Sequence, residues 1–311
     1  MTTDVPMNDE LLALTYTGVF VISRDHVVVP AIADAFADDR RDHALVQHWL
    51  GDEWVQQLIE TSICGVCARQ GDVTEVFNVG VDGNVVVARL PGGPVSEAVD
   101  TSPRGPNYSE TLRCVRLIGG DVYVAGMARQ CYRRTGNGVW RAMDAGTYVP
   151  RGQRTEAVGF LDLDGSDSGN IYAVGYKGEI WHFDGTTWHQ EDSPTGVALT
   201  KVLVTQDGYV YVAGLAGTIL LGRHGQWDLL CKGESSEDFW GLAEYRGDIY
   251  LASNQGVHVI RDGHLNNVDM GIQTEISTAY LHASDGVLYS VGPKDVVMTE
   301  DGHAWHVMPK P

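Results

Sequence analysis

A short pattern returns seven times along the chain, and it limits the possible folds more than any other feature. The segments are VFVIS (19–23), VFNVG (76–80), VYVAG (122–126), IYAVG (171–175), VYVAG (210–214), IYLAS (249–253) and LYSVG (288–292). Each runs from an apolar residue through an aromatic to a terminal Gly or Ser. Those termini are Ser23, Gly80, Gly126, Gly175, Gly214, Ser253 and Gly292, and the last three spacings are all 39 residues. A second mark keeps step with the first. Trp188, Trp227 and Trp305 each stand 13 residues past their Gly, and Trp140 stands 14 past Gly126. Between the marks, KGEIWHFDGTTWHQ, AGTILLGRHGQW and KDVVMTEDGHAW each read as strand, glycine turn, strand. Short alternating apolar runs split by such turns are antiparallel strands.

The mean unit is about 44 residues, within the ~40–45 of four-stranded propeller blades. A lone four-stranded sheet exposes both faces, whereas radial packing buries them against neighbours. The expected fold is therefore all-β: a seven-bladed β-propeller of four-stranded antiparallel blades in one domain, 1–311. The blades are expected near 11–60, 63–100, 112–147, 157–195, 199–233, 238–270 and 276–310. Blade 1 is the least regular. Residues 30–48 read as an insertion, and ADAFADDRRDHALVQHWL reads as a short helix within it. Blade 7 holds four strands of its own, so the ring closes either through N-terminal residues or by blade packing alone. The repeated aromatics and tryptophans are expected between blades rather than on a ligand.

HFDGTTW (182–188) and TEDGHAW (299–305) resemble the S-x-D-x-G-x-x-W hairpin of Asp-box propellers, sialidases among them, with His182 where the first keeps no Ser or Thr. The resemblance implies a propeller and no particular activity.

Composition narrows the function. With 22 Lys and Arg against 41 Asp and Glu, the net charge is −19, which argues against general nucleic-acid or anionic-membrane binding and favours basic partners. No apolar run approaches a membrane span, and MTTDVPMNDELLAL lacks the basic start and apolar stretch of a secretory signal. Five cysteines, an odd and scattered set, do not form a disulfide framework, so a cytoplasmic location is expected.

Chemical motifs are scarce. Cys64-Gly-Val-Cys67 is a lone C-x-x-C on an expected strand, where i and i+3 point to opposite faces, so no metal and no cofactor is expected. LDLDGSDSGN (161–170) is similar to a calcium loop without its distal Glu, in a position where a polar hairpin is expected. The histidines do not cluster, and GxxxxGK[ST], GxSxG and a placed GxGxxG are missing. No catalytic residue is expected.

Charge distribution says more. Residues 100–155 hold 4 acids and 9 bases, all Arg: Arg104, Arg113, Arg116, Arg129, Arg133, Arg134, Arg141, Arg151 and Arg154. This band either pairs with acidic neighbours or serves an interface. It is flanked by the long connections 91–111 and 144–156, and 231–239 is a third polar connection. Loops on a rigid scaffold usually carry function. The expected partner-binding residues are Arg104, Tyr108, Tyr148, Arg151, Arg154, Glu237, Asp238, Phe239 and Trp240, with aromatics as buried anchors.

Together these features point to a non-catalytic protein-binding propeller. A small acidic propeller is similar to bacterial immunity proteins that neutralise a cognate, basic toxin. The alternatives are an assembly or scaffold factor, an enzyme of glycosidase or lactonase type, and a carbohydrate-binding propeller.

Overall fold

The computed structural model describes residues 13–38 and 41–310. Six blades are four-stranded antiparallel sheets whose strands succeed one another outward in chain order. In blade 4 these strands are Phe160–Asp167, Asn170–Gly175, Ile180–Phe183 and Trp188–Glu191. The core lies between blades. Phe160, Trp188 and Phe183 of blade 4 pack with Tyr123 and Cys131 of blade 3, and Trp188 donates its indole N–H to Met143 O at 2.8 Å. The Asp184 carboxylate that precedes Trp188 caps its turn by accepting the N–H groups of Thr186 and Thr187.

The repeated glycine has a steric cause. A Cβ on Gly126 would lie 2.4 Å from Thr111 O, on Gly175 2.0 Å from Gly159 O, and on Gly214 2.6 Å from Ala198 O. In each case the chain entering the inner strand crosses directly over the end of the second strand. The ladder also slips at this crossing in blades 2 to 5, between Ile63/Gly65, Leu112/Cys114, Phe160/Asp162 and Leu199/Lys201. A bulge of this kind bends the strand and re-aims the residues beyond it.

Blade 1 departs from the sequence reading. Residues 30–48 are not an insertion. The second strand is His26–Ala33, the third is Ala44–Trp49, and the outer strand is Trp54–Ile59. Only Asp34–Asp38 is helical; residues 39–40 of the expected helix lie outside the described residues. Val27, Val28, Val29, Ala31 and Val46 are buried. That two-sided burial commits apolar β-branched runs to strand. The innermost position is filled in two pieces, Leu14–Tyr16 and Phe20–Ser23, both paired with the second strand. The break lies beside Pro30, which has no N–H to offer the inner strand, while Gly18 makes room for its ring.

Among the described residues, ring closure uses no shared strand. Blades 1 and 7 are each complete and meet by packing and side-chain bonds. Tyr16 N–H donates to Pro293 O at 3.0 Å, and Val21 N–H donates to His282 Nδ1 at 3.1 Å. Trp54 Nε1 reaches Pro309 O at 2.8 Å, and Lys294 Nζ spans Leu14 O and Asp34 Oδ2. No helix among the described residues is long and apolar enough to cross a membrane.

Candidate functional site

The loops between second and third strands share one end of the ring with the connections between blades. The two longest connections lie side by side there. The first leaves the outer strand Val95–Ala98 of blade 2, which takes up part of the expected 91–111 loop. The second leaves the outer strand Val139–Ala142 of blade 3. Three links join them. Arg104 Nη2 donates to Asp144 Oδ1 at 2.9 Å while its guanidinium lies 4.3 Å from the centre of the Tyr148 ring. Tyr148 Oη and Ser109 Oγ are 3.1 Å apart. Arg154 Nη1 pairs with Glu110 at 2.9 Å.

Asp144 begins the turn to Tyr148, whose N–H, with that of Thr147, bonds back to Asp144 O. Its carboxyl is almost wholly buried, and burial pushes its pKa up although Arg104 opposes the shift. Arg154 is also buried, so of the expected set it and Tyr148 mainly set the shape of the loops. Tyr108, 61% exposed, and Arg151, on the exposed turn Arg151–Gln153, are presented to solvent.

The expected residues 237–240 lie on the same end, two connections further round the ring. Glu237 accepts from Ser253 Oγ and lies 3.0 Å from His258 Nε2. Asp238 accepts Ala216 N–H at 2.9 Å. Trp240 is half-buried, and its N–H bonds Ala252 O. Phe239 is wholly buried, in the cluster with Ile219 and Leu251, so the expectation that it contacts a partner is corrected: a large apolar side chain on a connection closes a gap between blades 5 and 6. Ser253, His258 and Glu237 form no nucleophile relay. Serine and histidine converge on the same carboxylate oxygen, and Ser253 is buried.

The arginine band is largely neutralised from within. Arg104, Arg116, Arg129, Arg133, Arg134 and Arg154 pair with Asp144, Asp162, Glu179, Asp121, Glu97 and Glu110. Among the described residues, Arg113, Arg141 and Arg151 have no carboxylate partner within the 4.0 Å that defines these pairs.

A polar groove of about 520 Å³ borders the second connection, between Arg129, Glu156, Lys177, Glu179, Glu191 and Asp192. Arg129 Nε donates to Glu179 Oε2 at 2.7 Å, and Lys177 pairs with Glu156. Burial raises the Glu179 pKa against the pull of Arg129. The sequence reading missed this groove. Its walls come from four separate segments, and only the polar run QEDSPT (190–195) hinted at it.

The calcium-loop resemblance has a structural answer. Asp162 accepts from Arg116 Nη2 at 2.7 Å, Asp164 from Val204 N–H at 2.8 Å, and Asp167 from Gly169 N–H at 2.7 Å. Protein donors already engage all three carboxylates. Burial raises the Asp164 carboxyl to about 6, with Arg116 opposing. Cys67 is buried beside Phe77, and burial pushes its thiol up to about 12, so the thiolate that binds metal is disfavoured. Purified protein is accordingly expected to carry no stoichiometric zinc by elemental analysis and to titrate five thiols after unfolding. One zinc per chain, or two missing thiols, would refute this.

Comparison with known proteins gives one close match in sequence and many in shape. The Pseudomonas aeruginosa protein named Immune protein Tsi7 is 33% identical over 297 residues, covering 93% of this chain and 95% of that one. No family model matches. In shape, an inactive virginiamycin B lyase from Staphylococcus aureus, solved with quinupristin, superposes with a TM-score of 0.72 at 10% identity, over 94% of this chain and 96% of that one. YCF48 from Cyanidioschyzon merolae superposes at 0.66 with 13% identity, over 92% and 95%. At such identities the likeness is of fold alone, and that fold serves enzymes and other proteins alike.

Proposed function

The chain belongs to the family of the immune protein Tsi7, and from that premise we propose that it is an immunity protein that binds and neutralises a cognate toxin without catalysis of its own. The observation that carries the reading is the identity itself, which extends over 93% of the chain rather than over one blade. The loop end supports it. Two long connections are braced by the Arg104–Asp144 and Arg154–Glu110 pairs, and they hold Tyr108 and Arg151 out to solvent on a rigid base. Preset loops with an exposed aromatic suit protein recognition.

The toxin is basic in this reading, and the pair meets in the cytoplasm. A net charge of −19 attracts such a protein at long range. Raising salt shortens the Debye length from ~10 Å at 0.1 M to ~3 Å at 1 M, so association slows steeply.

The test is rescue and then kinetics. A toxin that kills when expressed alone is tolerated when this chain is co-expressed, and the two co-elute at equal stoichiometry. Tyr108→Ala raises the dissociation rate by an amount equivalent to about 2 kcal/mol. Salt-independent association would remove the basic-toxin part. Wild-type dissociation for both Tyr108→Ala and Arg151→Ala would place the interface elsewhere. Turnover of a substrate by the purified chain would return the enzyme reading.

A further inference from the structure

The outer strand of a propeller blade is an open sheet edge, and proteins blunt such edges by keeping them short and charged. Six blades here obey that rule. Their outer strands are three or four residues long, and each carries an ionisable side chain, as with Glu97 in Val95–Ala98, Arg141 in Val139–Ala142 and Asp228 in Gln226–Leu229. Blade 1 breaks it twice. Its outer strand, Trp54–Ile59, has six residues, WVQQLI, none of them ionisable. Val55 is 45% exposed and Leu58 56%.

The register shows which backbone groups face out. Leu50 N–H donates to Glu53 O across the turn, and the ladder to the third strand runs from Trp49↔Trp54 to Ala44↔Ile59 without a slip. Bonded and non-bonded pairs alternate along an antiparallel ladder. Val55, Gln57 and Ile59 therefore bond inward. Trp54, Gln56 and Leu58 turn their N–H and C=O outward, where no described residue bonds them.

The strand is bracketed by carboxylates. Asp52 and Glu53 precede it and Glu60 comes directly after, all exposed and, among the described residues, without a cationic partner. A second copy paired antiparallel about Gln56, with Trp54 opposite Leu58, would lay Asp52 against Glu60 of its mate, with like charges opposed. An extended segment with basic ends has the complementary charge in either direction.

We propose that the outer strand of blade 1 is a docking edge that takes up an extended segment of the partner by strand addition, apolar at alternate positions and carrying Lys or Arg at both ends. Main-chain bonds to Trp54, Gln56 and Leu58 supply the pairing, and Glu53 and Glu60, about 24 Å apart along an extended strand, select the ends. The inference rests on the toxin-binding reading only for the identity of the partner that donates the segment.

The probe is the synthetic peptide Lys-Thr-Val-Thr-Val-Thr-Val-Lys, with a counterpart whose ends are Glu. Titration monitored by amide NMR is expected to shift Gln56 and Leu58 saturably with the basic-ended peptide, and about fivefold more weakly with the acidic-ended one. Glu60→Lys, which lies outside the ladder, narrows or reverses that preference. Gln56→Pro removes an outward N–H that the ladder does not use, and binding is lost while the circular dichroism spectrum stays that of the wild type. Equal affinity for both peptides, or shifts elsewhere with none at 54–59, would overturn the proposal. So would amides of Gln56 and Leu58 that are already protected from exchange in the free protein, since a second copy or another part of this chain would then cover the edge. If the peptide fails while rescue from the toxin holds, only the docking edge falls. If the peptide binds while no toxin is neutralised, the immunity reading falls and the edge stands.

Discussion

Replacing Glu97 with alanine is expected to cost about 3–5 kcal/mol of stability, the usual penalty for stranding a buried charge. Glu97 receives Arg134 through two parallel bonds, Nε to Oε2 at 2.9 Å and Nη2 to Oε1 at 2.6 Å. Trp140 Nε1 donates to the same carboxylate at 3.1 Å. Both charged side chains are 2% exposed, and the Arg134 guanidinium lies 5.0 Å from the centre of the Phe77 ring. Without Glu97 that guanidinium keeps Asn137 Oδ1 as its remaining polar partner. Burial alone would raise the Glu97 pKa, but the bonds from Arg134 and Trp140 outweigh it, so it falls below the ordinary 4.5. A depressed folded value means that the stabilisation is full above the unfolded value and fades as pH drops through the folded one. Chemical denaturation at neutral pH should therefore show a wide gap between wild type and Glu97→Ala, and the gap should narrow below pH 4.5. The exposed pair Arg24–Glu300 is the comparison: its loss should cost at most about 1 kcal/mol. A Glu97 effect of that small size would show that desolvation offsets the buried pair.

Adding one methyl group at Gly175 is expected to be nearly as damaging, at about 3 kcal/mol or more. The residue is extended, with φ at −168°, so alanine is not opposed by backbone conformation. The obstacle is Gly159 O, 2.0 Å from where the methyl carbon would sit, and backbone cannot swing aside as a side chain can. Gly292→Ala should behave alike, against the Ser277 carbonyl carbon at 2.1 Å. Gly196→Ala, with nothing within 4 Å of the new carbon, should be close to neutral. Equal melting temperatures for Gly175→Ala and Gly196→Ala would show that the crossing relaxes and that the repeat glycine has another cause.

That crossing also explains why so much of the fold was legible. In blades 2 to 5 and 7 a Cβ at the end of the second strand would meet neighbouring backbone, so Gly returns where that geometry does, with Ser253 in its place in blade 6. In blade 1 the matching Ser23 ends an inner-strand piece instead, and the second strand runs to Ala33. Blade 1 was misread because Pro30 and the acidic stretch after it look like a loop, while the pairing that overrides them, Pro30↔Val46 and Ala31↔Leu45, joins the two ends of the very stretch read as an insertion. The arginine band was ambiguous because its partners are distant in sequence. Arg104 finds Asp144 40 positions away and Arg116 finds Asp162 46 away. Tyr108 and Phe239 show the limit for the site. Both are aromatics on polar connections, yet one stands in solvent and the other fills the seam between two blades. Residue type alone does not separate an exposed aromatic from a plug. The outer edge of blade 1 was invisible until the register showed which of its amides no described residue uses.

Closure without a shared strand has a consequence for the order of events in folding. Within a blade, pairing joins residues a few to a few tens of positions apart, and each new blade docks on one already formed. The junction between the last blade and the first is different. Its bonds join residues such as Val21 and His282, 261 positions apart, and among the described residues no hydrogen-bonded ladder ties them. Loop-closure entropy rises only logarithmically with length, so a late meeting is affordable, but it comes after all the local pairing. The ring is in effect an open bracelet whose clasp is fastened last and, on local unfolding, released first.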